Sequence, residues 1–468
     1  MKARHESILD NLNHDPDSIA LSMGDQTVSY GQLPILVEER ARKLEKVSVL
    51  ALALDNSIDW VLWDLACQVA GVICVPLPHF FTREQRDHSI KTAGVSHIIS
   101  SGGLLATQQR ATKKIPQGTA KITYTSGTTG SPKGVCLPLA AMKKVAESIV
   151  GVLGQNLVSN NFSGTHACVL PLAVLLENIA GVYAGLLAGY RIELCGLGCF
   201  ENNYQDLHPF LKSTRASSVI LVPELLRFLI QQVIKKGPLE TLKFIAVGGS
   251  KIDPELLAQA ADMGLPVYQG YGLSECASVV CLNTPENNQI GSVGKLLTHV
   301  KAKVVNGELI VIKPGFLGYV GDDSDGSTNI FATGDLGEID DQHFLQINGR
   351  KKNILITSYG RNVSPEWVES IFLAQIEIMQ VVVFGDADPQ LSALIVPTNR
   401  EADIGAVLDR VNEKLPDYAR VGTFHRVEPF TVKNKQLTGT GRPRRQFILD
   451  QYSHLLTTQK SRYRYDIL

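Results

Sequence analysis

The sequence predicts an α/β protein with a large N-terminal domain of layered parallel sheets and helices that includes a small β unit, and a smaller C-terminal α+β domain. From about Ser29 to Gly270, short β-branched runs alternate with longer amphipathic ones, the pattern of parallel sheets covered by helices. After about residue 290 the expected strands become shorter and turn-bounded. A second α/β alternation begins beyond Arg350, so the expected domains are residues 1–349 and 350–468.

The N-terminal domain contains the clearest individual elements. Ser29 stands three residues before Gln32, which predicts a capping box at the start of a helix that runs through Leu44. The apolar residues 170–190 predict a buried helix, because Glu177 and several glycines argue against a membrane span. Runs that predict buried strands occupy residues 48–54, 166–170, 218–222 and 244–248.

The later elements are predicted from the same patterns. The small β unit contains strands at residues 302–305 and 308–312. The C-terminal domain begins near residues 349–353, with one helix opening near Pro365 and another over about 401–415. Its expected strands are residues 354–357, 379–384 and 391–396.

Composition excludes several classes of partner. Lys plus Arg (45) nearly equals Asp plus Glu (46), so no overall charge would hold the chain on nucleic acid or anionic lipid. The N-terminus lacks the apolar core of a secretory signal, and no stretch predicts an integral membrane segment. The eight cysteines lie in apolar runs without a CxxC pair, which indicates buried reduced thiols. We therefore expect a cytoplasmic protein with a small or locally recognised ligand.

The strongest functional signal is the segment 124–135, TyrThrSerGlyThrThrGlySerProLysGlyVal. Its glycines permit close backbone approach, its hydroxyls can donate to phosphate oxygens, and its lysine adds a positive charge, so it can wrap a triphosphate. It does not fit a P-loop, and the alternative interpretation is a surface turn. The residues assigned to phosphate binding are Thr125, Ser126, Gly127, Thr128, Thr129, Gly130 and Lys133.

With this loop the chain resembles the adenylate-forming superfamily, which comprises acyl-CoA synthetases, peptide-synthetase adenylation domains and luciferases. The long-chain fatty acyl-CoA synthetases and related AMP-binding acyl ligases are the most similar branch. The resemblance implies ATP and Mg²⁺, and a C-terminal domain that is a mobile lid. It covers nearly the whole chain, because further matching segments follow in order at residues 248–251, 270–276, 333–337, 347–352 and 358–366.

The segment 270–276, GlyTyrGlyLeuSerGluCys, resembles the family's metal and α-phosphate segment. The resemblance implies that Ser274 contacts the α-phosphate, that Glu275 binds Mg²⁺ with the hydroxyl of Thr128, and that Tyr271 lies against adenine. A carboxylate on a Gly-flanked turn after a strand is itself well placed to hold a hard cation, although a structural turn is the alternative.

Two more segments resemble nucleotide-binding parts of the family. Asp335, in ThrGlyAsp, would accept hydrogen bonds from the ribose hydroxyls, and Arg350 would contact ribose or phosphate. Each motif alone is also typical of an ordinary turn. The backbone around the adenine and the acyl pocket would be supplied by Gly248, Gly249 and Ser250, and Gly270 and Gly272 of the segment 270–276 would also bind the nucleotide.

The C-terminal segment implies a second reaction step. Lys352 falls at the family's interdomain hinge, and Gly360 falls in the loop that the lid inserts for thioester formation, where it would let pantetheine pass. The acceptor would then be CoA or the phosphopantetheine of an acyl carrier protein. The same loop is also a strand-to-helix connection with Pro365 at the first helical position.

The chain departs from the family at two places. The catalytic Lys is replaced by Arg442, whose planar guanidinium is not a conservative substitute, so Lys433 or Lys435 are the alternatives. In the acyl-gating segment, Ala173 and Val174 stand where other branches have His or Asp. Because neither can pair with an ammonium group, an apolar acyl tail is favoured over an α-amino acid.

The sequence therefore predicts an acid–thiol ligase that activates a carboxylic acid, with a fatty acid favoured, as its acyl-adenylate and passes the acyl group to a thiol. Three alternatives stay open. The adenylate could go to a non-thiol acceptor, the chain could be a non-catalytic nucleotide-binding relative without the catalytic Lys, or it could be an ATPase or kinase.

Overall fold

The computed structural model describes residues 4–107, 109, 112–125, 132–157, 164–199, 204–322, 329–438 and 441–457. Within these ranges the chain forms a nine-stranded, a seven-stranded and a four-stranded sheet, followed by a two-stranded and a three-stranded sheet. Helices cover the sheets, so the predicted α/β fold class is confirmed.

The first three sheets contain most of the strands. They are β1 (Ile19–Met23), β2 (Gln26–Ser29), β3 (Val49–Leu52), β4 (Ile73–Pro76), β5 (His97–Ser100), β6 (Gly103–Ala106), β7 (Lys121–Thr125), β8 (Lys133–Leu137), β9 (Thr165–Cys168), β10 (Arg191–Leu194), β11 (Ser218–Leu221), β12 (Phe244–Val247), β13 (Val267–Leu273), β14 (Ser278–Leu282), β15 (Lys295–Leu296), β16 (Lys301–Val305), β17 (Glu308–Ile312), β18 (Gly318–Tyr319), β19 (Ile330–Ile339) and β20 (Leu345–Arg350).

The helices of the same part are α1 (Gln32–Lys43), α2 (Ile58–Ala70), α3 (Arg83–Ala93), α4 (Leu139–Leu157), α5 (Ala184–Leu187), α6 (Leu207–Ser213), α7 (Pro223–Lys236) and α8 (Pro254–Asp262). A π-helix, Leu176–Tyr183, runs directly into α5. Short 3-10 turns occupy Ile8–Asn11, Leu197–Cys199, Tyr204–Asp206 and Ser274–Cys276.

The two large sheets are mostly parallel in their centres. The seven-stranded sheet has the order β18-β8-β7-β4-β3-β5-β6, and the nine-stranded sheet has the order β15-β14-β13-β12-β11-β9-β10-β1-β2. Every residue of β3, β9 and β11 is buried. Burial on both faces explains why these strands are continuous apolar runs in the sequence.

Helix α2 belongs to the main core. Ser57 caps its first turn by accepting from the Trp60 amide, and Gly71 ends it in the left-handed conformation. Nearly all of its residues are buried, as expected for a helix that is apolar all round. Its buried Asp64 forms an ion pair with Lys121 on β7, with 2.8 Å between Oδ1 and Nζ.

The four-stranded sheet, β16-β17-β19-β20, is antiparallel. Its strand β16 alternates exposed and half-buried residues, so one face is solvated. Asp335 on β19 lies opposite Arg350 on β20 in this sheet. The register therefore brings together two of the predicted site residues.

The C-terminal part contains β21 (Leu355–Ile356), β22 (Asn362–Val363), α9 (Pro365–Leu373), β23 (Ile378–Phe384), β24 (Leu391–Pro397), α10 (Ile404–Glu413), β25 (Val421–Arg426) and α11 (Arg445–Thr457). The strands β23-β24-β25 form one sheet, and a separate apolar cluster packs α9 and α10 against it. The chain enters this part through the 3-10 turn Lys351–Asn353. The boundary at 349/350 stays a prediction.

Element bounds differ from the predictions in detail. Ser29 and Gln32 form the reciprocal hydrogen bonds of a capping box, but the helix begins at Gln32 with Gly31 as its N-cap. The predicted helix in 170–190 begins only at Leu176, because the segment before it forms turns. Cys199 is exposed, unlike the other cysteines, because it lies in a surface 3-10 turn.

Candidate active site

A cavity of about 1420 Å³ extends from the carboxyl ends of the parallel strands of the nine-stranded sheet back along β11 and β12. Residues of the four-stranded sheet and of the C-terminal part complete its walls. Ligands of α/β proteins bind at this end of a sheet because loops and helix starts meet there.

The predicted phosphate loop is described only at its two ends. Thr125 ends β7 and Lys133 begins β8, and the two are paired in register and line the cavity. Thr125 Oγ1 donates to the Lys133 carbonyl at 3.4 Å. Ser126, Gly127, Thr128, Thr129 and Gly130 lie outside the described residues, so the metal-binding role of Thr128 stays a prediction.

The remaining backbone residues predicted for nucleotide binding also line the cavity: Gly248, Gly249, Ser250, Gly270 and Gly272. Gly248 follows β12, and a Cβ there would lie 3.1 Å from the Gly270 carbonyl oxygen. At Gly272 a Cβ would lie 1.8 Å from the Ser278 carbonyl oxygen. Any side chain at Gly272 would therefore force β13 and β14 apart.

Tyr271, Asp335 and Arg350 form one hydrogen-bonded group. The Tyr271 hydroxyl donates to Asp335 Oδ2 at 2.6 Å, and Arg350 Nε donates to Oδ1 at 2.8 Å. Burial, then the Asp335 charge, raises the pKa of Tyr271, so this phenol stays a donor. Burial opposes the charge on Arg350, but Asp335 raises the net pKa of its guanidinium. Each carboxylate oxygen has a second lone pair for another donor such as a hydroxyl.

Glu275 is held by a residue that the sequence did not reveal. Tyr319 donates its hydroxyl to Glu275 Oε1 at 2.8 Å, and the Lys133 ammonium lies 5.4 Å from the centre of the Tyr319 ring. Ser274 precedes Glu275 in the same 3-10 turn, and all four side chains line the cavity. Tyr319 thus connects the end of the phosphate loop to the predicted metal-binding carboxylate.

The C-terminal part contributes Arg442 to this cavity. Its Nη2 donates to the Gly249 carbonyl at 2.9 Å. Loss of hydration beside the surrounding protein lowers the pKa of Arg442, and the nearby Arg350 charge lowers it further. Among the described residues, the cavity lining does not include Lys435, which lies near Glu84 on α3. Gly360 is likewise outside the lining, on an exposed loop between β21 and β22.

Residues 9–320 match the family described as AMP-binding enzyme, and residues 352–459 match the AMP-binding enzyme C-terminal domain.

The chain belongs to the AMP-binding enzyme family.

Named relatives of this AMP-binding enzyme include two bacterial 2-succinylbenzoate–CoA ligases. That of Enterococcus faecalis is 29% identical over 65% of this chain and 64% of its own length. That of Bacillus subtilis is 24% identical over 90% of this chain and 94% of its own length. A solved O-succinylbenzoate coenzyme A synthetase from Bacillus subtilis, in complex with ATP and magnesium ion, has a TM-score of 0.76 and 22% identity, covering 94% of this chain and 98% of that one.

These matches confirm the predicted adenylate-forming family and its ligase class. The predicted ATP, magnesium and CoA agree with the relatives, which are named CoA ligases, and with the solved synthetase, which is in complex with ATP and magnesium ion. The placement closest to fatty acyl-CoA synthetases is only approximate, because the relatives are named for succinylbenzoate. Within the described ranges, no helix combines the length and apolar character needed to cross a bilayer.

The AMP-binding enzyme has further cavity residues that sequence analysis missed. Lys251 follows Ser250 directly, and its Nζ donates to the Ile347 carbonyl at 3.1 Å. Burial lowers the pKa of this ammonium group. Its position directly after GlyGlySer is the feature of the sequence that could have indicated a site residue. For Tyr319 the sequence offers a weaker indication, an aromatic residue that follows a glycine.

Proposed function

We propose that this chain activates a carboxylic acid with an apolar body as its acyl-adenylate and then transfers the acyl group to the thiol of CoA. The observation that carries the proposal is that one cavity joins two unlike regions. The region around Asp335, Glu275 and Lys133 is polar and charged, as a nucleotide requires. The region that continues along β11 and β12 is lined by apolar side chains such as Ile220 and Ala246.

Each polar group has a distinct part in this proposal. Asp335 would accept the ribose hydroxyls, with Tyr271 beside the adenine and Arg350 close to ribose or phosphate. Ser274 and the segment from Thr125 to Lys133 would donate to the phosphates. The alignment of carboxylate and α-phosphorus would supply most of the rate enhancement.

Magnesium fits the described donor set. Glu275 accepts one hydrogen bond from Tyr319, and its carboxylate has further lone pairs that can bind a hard cation. Mg²⁺ held there would neutralise phosphate charge. Arg442 would take the part of the missing Lys by stabilising negative charge as the acid attacks. Its position in the cavity supports Arg442 over Lys435 for this role.

The second step would need the C-terminal lid, proposed as residues 350–468, to turn about Lys352 and bring Gly360 into the cavity. Gly360 has φ +71, and a Cβ there would meet nothing within 4 Å. The exposed position of its loop is compatible with such a movement. An acyl carrier protein is a second candidate acceptor, and the cytoplasm, where free thiols persist, is the proposed location.

The choice of acid is proposed from the relatives and from the walls of the cavity. The relatives are named for 2-succinylbenzoate, an aryl acid, whereas a fatty acid would also suit an apolar channel. Ala173 and Val174 line the cavity and offer no charge to an ammonium group, which supports an acid without an α-amino group.

The test is acid-dependent pyrophosphate exchange across fatty, hydroxy-fatty and aryl acids, with 2-succinylbenzoate included, followed by mass spectrometry of products with and without CoA. We expect exchange with at least one acid and an acyl-CoA product. ATP binding without exchange would instead favour the non-catalytic alternative, and exchange without a thioester would favour another acceptor. Phosphate release independent of any acid would favour an ATPase.

A further inference from the structure

The apolar part of the cavity is a channel between one helix and the nine-stranded sheet. The helical side consists of small residues of the π-helix, of α5 and of the C-cap that follows α5: Ala180, Gly181, Ala184, Gly185 and Ala188. The sheet side follows β11 and β12 back from Gly248 to Phe244. At about 3.3 Å a residue, that distance is about 13 Å. The channel therefore suits an acid with an extended body.

The inner end of this channel is polar. Ser218 begins β11 and lies opposite His166 on β9, so the two side chains share one face of the sheet. Their Oγ and Nδ1 atoms are 3.0 Å apart. His166 Nε2 lies 2.9 Å from Glu177 Oε1, and the other oxygen of Glu177 accepts from the Leu170 amide at 2.9 Å.

The hydrogen bond between Ser218 and His166 leaves Ser218 able to bind another group. Both oxygens of Glu177 are already used, because one lies against His166 Nε2 and the other accepts from the Leu170 amide. A hydroxyl has one donor and two acceptor lone pairs. The Ser218 hydroxyl therefore keeps at least one acceptor lone pair whichever of Ser218 Oγ and His166 Nδ1 donates.

Tyr190 provides a donor at the same end. It directly precedes β10, is only 5% exposed, and lines the cavity. Its ring lies over Gly164, where a Cβ would be 2.5 Å from Cζ, and Gly164 directly precedes β9, two residues before His166. The buried Tyr190 hydroxyl has no hydrogen-bond partner among the described residues. Burial raises the pKa of Tyr190 to about 12, so the phenol keeps its proton.

An unpaired buried hydroxyl costs folding free energy, and almost all such groups in proteins find a partner. The unused donor of Tyr190 and the unused acceptor of Ser218 are complementary to one hydroxyl group. A carboxylate is a poorer match. The Lys and Arg side chains that line the cavity within the described ranges are instead those of the nucleotide region and the C-terminal side: Lys133, Arg227, Lys251, Arg350, Lys352, Arg442 and Arg445.

We propose that the inner end of the channel binds a hydroxyl group at the far end of the acid, which accepts from Tyr190 and donates to Ser218. The substrate class is thus a hydroxy acid with an apolar middle, either an ω-hydroxy aliphatic acid or a hydroxyaryl acid. This inference rests on the proposed function, because it assumes that the acid's carboxylate lies at the nucleotide end.

The experiment compares matched pairs of acids that differ by one hydroxyl: octanoic acid with its ω-hydroxy derivative, and phenylpropanoic acid with its para-hydroxy derivative. Each is assayed for kcat/KM in pyrophosphate exchange with the wild type, Tyr190→Phe and Ser218→Ala. Tyr204→Phe is the control, because Tyr204 lies outside the cavity lining. Acylsulfamoyl adenosines of the same acids are titrated by calorimetry as a readout independent of turnover.

We expect the hydroxy acid of at least one pair to be preferred by about 10- to 100-fold, since a buried unpaired group costs binding free energy on that scale. Tyr190→Phe should remove most of this preference, Ser218→Ala should reduce it, and Tyr204→Phe should keep it. Equal values within both pairs, or a preference unchanged in Tyr190→Phe, would overturn the inference.

The experiment distinguishes failure of the proposed function from failure of the hydroxyl site. If no acid supports exchange, the paired acylsulfamoyl adenosines still measure the hydroxyl preference by affinity. If Tyr190→Phe does not fold, as judged by loss of ATP binding, the Ser218→Ala result decides. Hydroxylated and plain analogues that bind equally tightly would count against the hydroxyl site whatever the turnover result.

Discussion

Arg442 reaches across from the C-terminal part of the chain and donates to the carbonyl of Gly249, 2.9 Å away. This hydrogen bond ties the C-terminal side of the cavity to the loop after β12. It brings a guanidinium into the region where the acid and the α-phosphate are proposed to meet. Arg442 thus keeps a positive charge in the site although it replaces the family's Lys.

From this contact we expect Arg442→Ala to lower acid-dependent pyrophosphate exchange by about 100- to 1000-fold, the usual effect of deleting one charge-stabilising donor. Arg442→Lys should retain more activity, because it keeps the charge but loses the planar fork. Exchange rates at saturating ATP and acid provide the measurement. Lys435→Ala is the matched control and should stay near the wild-type rate. The reverse order of effects would assign the role to Lys435.

Tyr319→Phe tests the link between the phosphate loop and Glu275. Loss of the hydroxyl leaves Glu275 without its donor at 2.8 Å, so we expect the carboxylate to be less well positioned for magnesium. One charge-assisted hydrogen bond corresponds to about a 10-fold decrease in exchange rate and a higher magnesium requirement. A magnesium titration of the rate measures both. Tyr452→Phe, on α11, is the control, and an unaltered magnesium dependence in Tyr319→Phe would refute the link.

Site contacts between residues close together in the sequence could be predicted, whereas contacts between residues far apart in the sequence could not. Asp335 and Arg350 were both predicted, and a single antiparallel hairpin places them opposite each other. Local motifs of this kind carry their own turn and strand signals. Tyr319, in contrast, belongs to a two-residue strand that pairs with Val135, far away along the chain.

The inner end of the channel could not be predicted for the same reason. In the sequence, Glu177 is only a charged interruption of an apolar stretch. Its contact with His166, and the contact of His166 with Ser218, depend on the order of β9 and β11 in the sheet. Strand order follows from the burial of whole faces, which local periodicity does not encode. Element types were predicted well because they depend mostly on local patterns.

Lys121→Met should destabilise the N-terminal part strongly. The Lys121 and Asp64 side chains are 2% and 1% exposed, and Asp64 also accepts from Tyr183 at 2.7 Å. Removing one partner of a buried ion pair leaves an uncompensated charge and costs about 3–5 kcal/mol of unfolding free energy. We expect the melting temperature to fall by at least about 5 °C.

Lys143→Met is the control for that variant. Lys143 pairs with Glu6, whose side chain is 67% exposed, so its loss should cost at most about 1 kcal/mol. Scanning calorimetry of both variants against the wild type provides the comparison. Equal melting temperatures for Lys121→Met and Lys143→Met would mean that the buried pair contributes no more than an exposed one.

Gly360→Val tests the second step, and its effect should be the complement of that of Arg442→Ala. Gly360 has φ +71, a conformation that a β-branched residue rarely adopts, and its loop is exposed, so the cost to the fold should stay local. If the loop enters the cavity for thioester formation, a side chain there blocks the thiol's path. Pyrophosphate exchange should then remain within about 3-fold of the wild type, while acyl-CoA formation from supplied acyl-adenylate falls at least about 100-fold, on the scale expected for misplaced reactants.

Arg442→Ala should show the opposite pattern, with exchange lost and thioester formation from supplied adenylate retained. The comparison needs only two assays, exchange and single-turnover thioester formation. If Gly360→Val slows both half-reactions equally, the loop has no separate part in the second step and the proposed rotation about Lys352 loses its support.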